Sequence, residues 1–167
     1  MDQPLLAFLH LAQFDHDTVY RGGCLVTDAA TMPLEFRCTS GIQPTPLQRT
    51  LYGRKLTEYI ARDLVSIPLA RSLQARPDVI FVCMPEFLLA RPELGIPTLL
   101  IQTSGDGKAS LSAYPGREAE VESGRSLIAA RRLKMEDILE PFTRIQRALE
   151  EAHAAKVADK PAEKVKK

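Results

Sequence analysis

The chain has 167 residues, 45% hydrophobic and 26% charged, values of one ordinary globular domain that builds a core without disulfide or metal staples. Its net charge is +1, and the last twelve residues, KVADKPAEKVKK, hold five Lys against one Asp and one Glu, so they carry +3 and leave about −2 elsewhere. That balance argues against a domain that grips a phosphate backbone with its whole surface. The three cysteines, Cys24, Cys38 and Cys83, are widely spaced and form no C-x-x-C pair, which reads as reduced thiols in a cytoplasm. No signal peptide opens the sequence and no apolar run reaches the length of a membrane span.

Residues 4–12, PLLAFLHLA, suit a central strand, and QFDHDT after them is a polar turn. Residues 20–28, YRGGCLVTD, and 34–39, LEFRCT, form a hairpin across the short AATMP connection. Gly22-Gly23 inside the first of these reads as a bulge that aids hairpin twist, with close approach of another backbone or ligand as the alternative. Leu34, Phe36 and Cys38 alternate with Glu35 and Arg37, the period of a half-buried strand with one face wet. Thr45-Pro46-Leu47-Gln48 is a helix start with a capping box, and Leu47 and Leu51 share one face. Gly53 offers a stop or cap, the helical pattern resumes at Leu56, and Pro68 breaks or kinks it.

Val79 to Val82 is short, apolar and flanked by helical segments, the signature of a parallel strand buried on both faces. Pro85 to Ala90 suits a short helix, Thr98 to Ile101 a second buried strand, and Ser110 to Ala113 a short edge strand. Residues 115–125 are small and charged and read as a surface loop or lid. Ile138, Phe142, Ile145, Leu149 and Ala152 form one helical stripe, with Pro141 expected in the first turn. The expected organisation is a single α/β domain over 1–155 and a disordered basic tail over 156–167.

The order is a three-stranded antiparallel meander, helices, two buried parallel strands and a C-terminal helix. It is the RNase H-like order. Over residues 4–102 it resembles endonuclease V in spacing, with a similar hairpin, a helical stretch, a "PD-apolar" strand and an "IPT-apolar" strand. The phrases GGCLVTD, PLEFRCT and LQRTLYGRKL resemble a family of uncharacterised bacterial proteins. The nuclease resemblance implies two metal ions held by carboxylates on the first strand and at the end of the fourth. Here the first strand has His10 as its only polar group, and the fourth ends in Cys83 where an acid is expected, with Asp78 at the wrong end.

Asp15, His16 and Asp17 stand close enough in sequence to hold a transition metal, with Asp28 or Glu35 as further ligands, against the alternative of a solvated turn. Cys83 is a candidate nucleophile with His10 as its base and Glu86 beside it, against the alternative of a packed thiol. TSGDGKAS fails the phosphate-loop pattern at Gln102 and at Ala109. Arg49, Arg54, Lys55 and Arg62, with Tyr52 and Tyr59 between them, suit contact with nucleic acid or an acidic partner. The combined expectation is a non-catalytic module of a bacterial cytoplasmic complex with a protein partner, no cofactor and no membrane. A metal-dependent nuclease or hydrolase and a nucleic-acid-binding accessory protein are the alternatives.

Overall fold

The computed structural model describes residues 3–156, so the predicted tail beyond Lys156 lies outside the described residues. The strands are β1 (Leu6–Phe14), β2 (Val19–Thr27), β3 (Pro33–Cys38), β4 (Val79–Val82), β5 (Thr98–Thr103) and β6 (Ala109–Ala113). They form one sheet in the order β3-β2-β1-β4-β5-β6. β1 pairs antiparallel with β2 and parallel with β4, β4 parallel with β5, and β2/β3 and β5/β6 are antiparallel. This is the RNase H-like order, with β6 added at the far edge.

Helices cover both faces. Along the first face run α1 (Pro46–Tyr52), α2 (Leu56–Tyr59), a π-helical segment (Ile60–Ser66) and α3 (Ile67–Ser72). The capping box forms as expected: the Gln48 N–H donates to Thr45 Oγ1 at 3.1 Å, and the Thr45 N–H donates to Gln48 Oε1 at 2.9 Å. The wide turn ends directly before Pro68. Ile67 N–H bonds the Arg62 carbonyl and Ser66 Oγ donates to the Ala61 carbonyl at 2.7 Å, five residues back in each case. The widened register absorbs the proline, which has no N–H to continue an ordinary helix. Ile60, Val65 and Leu69 meet Ala7, Leu9 and Leu11 on this side.

After β4 come a 3-10 helix (Pro85–Ala90) and α4 (Arg91–Leu94). The second face carries α5 (Ala119–Ala130) and α6 (Met135–Ala154). The predicted stripe Ile138, Phe142, Ile145, Leu149 and Ala152 is buried there, against Phe8, Phe81 and Leu99.

Four expectations need correction. The hairpin bulge lies at Val26/Thr27 and not at the glycines. A Cβ at Gly22 would stand 2.3 Å from Val65 Cγ1, and one at Gly23 would stand 2.9 Å from Ile145 Cγ2, so the pair admits close packing from both sides of the sheet. The loop expected at 115–125 is largely α5. Its Gly124 lets the helix sink onto β5, since a Cβ there would lie 2.3 Å from Leu99 Cδ1. Pro141 lies inside α6, because the helix starts earlier, where Asp137 Oδ2 accepts the Lys134 N–H at 2.8 Å.

The faces of β3 are also reversed. Leu34 is 55% and Phe36 38% exposed, while the neighbouring Glu35 side chain is only 14% exposed. β3 is the outermost strand and α6 covers β1 and β2, so the apolar face of β3 stays wet. On the opposite face, Glu35 fastens the strand to the end of α3. It accepts the main-chain N–H groups of Ala75 and Gln74 and the Arg37 Nε–H at 2.8 Å. The two amides, Ala75 first, and then Arg37 lower its pKa from 4.5 to about 2. A depressed pKa gives stability that is present above 4.5 and lost as pH falls towards about 2. Glu35→Gln therefore melts lower than wild type at pH near neutral, and the gap closes in acid. Thermal melts across pH check this, and a gap independent of pH would count against it.

Candidate functional site

The carboxyl end of β4 lies beside the middle of β1. Their register runs from Leu6↔Val79 to Leu9↔Val82, so His10 and Cys83 are the next residues of adjacent strands. Alternation puts both on the α6 side of the sheet. His10 Nε2 lies 2.7 Å from Gln146 Oε1, and Gln146 Nε2 donates to Glu150 Oε2 at 3.0 Å. The amide oxygen only accepts, so Nε2 carries the imidazole proton when the ring is neutral. Phe142, Arg147 and Glu151 complete the groove beside His10.

Sequence reasoning paired Cys83 with His10, and the strands do bring them to neighbouring positions. Their chemistry does not favour thiolate formation. Burial pushes the Cys83 thiol up to about 11, so it stays protonated at neutral pH and is a poor nucleophile. Glu86 sits one turn on, half-buried in the first turn of the 3-10 helix.

Asp15, His16 and Asp17 form the exposed β1–β2 turn, all with positive φ (54°, 58° and 64°). They do not converge. Asp15 Oδ1 pairs with His153 Nε2 at 3.1 Å. The main-chain carbonyls of Asp17 and Thr18 accept from Arg49 Nη2 at 3.4 and 3.3 Å. Among the described residues, no three His, Cys, Asp or Glu side chains stand together in a group able to hold a metal ion. Asp28 closes the β2–β3 turn, its Oδ1 accepting the N–H groups of Ala30 and Met32 at 2.8 and 2.9 Å.

His153 joins a chain of contacts that begins at a buried arginine and ends at an exposed turn. Arg21, fully buried on β2, donates from Nε to His153 Nδ1 at 2.9 Å. A guanidinium cannot accept, so Nδ1 keeps its lone pair and the proton sits on Nε2, facing Asp15. Phe14 stacks on the His153 ring at 4.2 Å. The signal available in sequence was a lone Arg inside the apolar run VYRGGCLV.

The basic set is divided. Arg49 ties α1 to the β1–β2 turn. Lys55 meets Glu58 at 3.4 Å, and Arg62 meets Asp63 at 2.6 Å and Glu93 at 3.4 Å. Arg54 is exposed beside them. Tyr52 stacks on Tyr59 at 4.3 Å. Next to this group α1 has no buried residue, and Leu47 and Leu51 are 66% and 74% exposed.

No family model matches the chain, and no curated protein matches it. Among solved structures, the endonuclease V of Bacillus subtilis is similar at 22% identity and a TM-score of 0.40, over 60% of this chain and 45% of that one. The endonuclease V of Streptomyces avermitilis is similar at 16% identity and a TM-score of 0.40, over 62% and 50%. That of Ciona intestinalis, solved with an inosine-containing DNA, is similar at 9% identity and a TM-score of 0.39, over 87% and 56%. The chain spans about half the length of these proteins. The fold assignment rests on the strand order and directions given above. Among the described residues, no helix is long and apolar enough to cross a membrane.

Proposed function

We propose that this chain is a protein-contact module on an RNase H-like sheet, working within a cytoplasmic assembly and without a hydrolytic centre at its strand ends. The observation that carries the reading is α1. Its start is fixed by a capping box and its body is pinned by Arg49, yet both of its leucines face water. A rigid helix with two exposed leucines beside a tyrosine stack and Arg54 suits an amphipathic or acidic partner surface. His10 in mid-β1 and Cys83 just past the end of β4, with the thiol held protonated, support the non-catalytic half of the reading. Free Cys24 and Cys83 fit a reducing compartment.

The test is affinity purification of the tagged full chain from its host, beside Leu47→Lys/Leu51→Lys. Wild type is expected to retain a stoichiometric partner. The double variant should lose it while melting normally, because neither leucine is buried. Divalent-metal-dependent cleavage of nucleic acid, abolished by Asp15→Ala or Asp17→Ala, would sink the proposal. So would nucleic-acid binding that weakens with salt and disappears in Arg54→Glu/Lys55→Glu, which would make this face a phosphate-binding surface.

A further inference from the structure

The sheet has two edges among the described residues, and they differ in kind. β6 presents mainly Ser110 and Ser112 to solvent, with Leu111 turned inward. β3 presents Leu34 and Phe36, followed on from Met32, which is 61% exposed. Edge strands are usually blunted against pairing, and a wet apolar edge marks a place where another strand can add.

The hydrogen-bond pattern of β3 fixes which groups point outward. The Thr39 N–H bonds the Gly22 carbonyl at 2.9 Å, and the register continues through Cys24↔Arg37 and Val26↔Glu35. In an antiparallel ladder such pairs alternate, so Glu35 and Arg37 direct their main-chain groups to β2. Leu34 and Phe36 direct theirs to the open edge.

Charge then selects a register. If a second β3 adds antiparallel about Glu35, two glutamates face each other, and about Arg37 two arginines do. Only the register centred on Phe36 sets Glu35 opposite Arg37 twice, with Phe36 opposite its counterpart and each Leu34 diagonal to it. In that register the two Phe36 residues exchange two main-chain hydrogen bonds. Arg37 bonds its own Glu35 through Nε at 2.8 Å, and its side chain is 37% exposed. Cross-strand aromatic and opposite-charge pairs of this kind stabilise a sheet, and like charges disrupt it.

We propose that the β3 edge is a self-association surface: two copies of this chain pair antiparallel through β3 about a two-fold axis at Phe36, making one continuous sheet. This surface is separate from α1, so the proposal stands apart from the partner reading above.

Sedimentation of the full chain over a concentration series tests it, together with mild oxidation of Phe36→Cys. Wild type is expected to show a monomer–dimer equilibrium, and Arg37→Glu to weaken it about tenfold or more. Directly paired residues in this class of pair have Cα atoms about 5.5 Å apart, within disulfide reach. Phe36→Cys should therefore link through residue 36, as read by peptide mass mapping, much faster than a control cysteine at Leu51. Arg37→Glu also loses its contact with Glu35, so the cysteine variant keeps the test decisive if that variant folds poorly. A chain monomeric at every concentration, with Phe36→Cys linking no faster than the control, overturns the proposal. A dimer indifferent to both substitutions also overturns it, since it would use another face.

Discussion

Gly22→Ala is expected to destabilise the protein by about 3 kcal/mol, the upper range for overpacking a filled core. A methyl at this position meets Val65 Cγ1 at 2.3 Å and Cγ2 at 2.6 Å, inside any tolerable contact. Neither neighbour can give way easily. Gly22 lies in the middle of β2, held by β1 on one side and by the Thr39 contact on the other. Val65 is fully buried, β-branched and set in the π-helical segment just before Pro68, so its rotamer and its backbone are both constrained. The clash can be relieved from the other side. Val65→Ala alone leaves a cavity and should cost about 2 kcal/mol. Combined with Gly22→Ala, it removes the methyl groups that the new Cβ would strike. The double variant should therefore be more stable than the sum of the two losses predicts, by 1 kcal/mol or more on the scale of couplings between touching residues. Urea unfolding of the four proteins measures this. Simple additivity would show that the helix shifts as a body to admit the methyl.

The same pair shows what sequence reveals and what it hides. Strand order, the α1 capping box and the α6 stripe were legible because each follows from local chemistry: short apolar runs between turns, Thr45 with Gln48, and apolar side chains at helical spacing. The glycines in β2 were visible too, but their reason lies in Val65 and Ile145, distant in sequence, so a bulge was the natural local reading. Small and charged residues made 115–125 look like a loop, when Gly124 is the point at which α5 presses on Leu99. The faces of β3 were reversed because alternation tells which residues share a side and not which side is covered. Coverage depends on how far α6 reaches. At the candidate site, His10 and Cys83 were found as neighbours because parallel pairing follows from strand order. The Arg21–His153–Asp15 chain was missed because it joins the second strand, the last helix and a turn. A lone arginine in an apolar strand was its only trace.

The second large effect concerns a buried ion pair to which no sequence pattern points. Arg91, in α4, is 6% exposed, and its Nη2 lies 2.6 Å from Glu120 Oε2, with Nε 3.2 Å from both carboxylate oxygens. Glu120 stands in the first turn of α5, where a carboxylate also suits the helix dipole. The contact joins the segment after β4 to the helix that covers β5 and β6. Arg91→Ala strands the carboxylate away from most of its solvent, and is expected to cost about 3 kcal/mol, the lower end of the range for breaking a buried pair. Glu120→Ala should cost a similar amount by stranding the guanidinium. Replacing both with apolar groups of like size, Arg91→Met with Glu120→Leu, removes the two charges together and should return most of that loss, because no uncompensated ion remains. The measurement is a double-mutant cycle by urea unfolding at low and high salt. Strong coupling that changes little with salt fits a pair shielded by protein. A single-variant loss below about 1 kcal/mol that fades with salt is the behaviour of an exposed bridge, and would show that α5 is held to the sheet by Leu99, Leu111 and Ile128 alone.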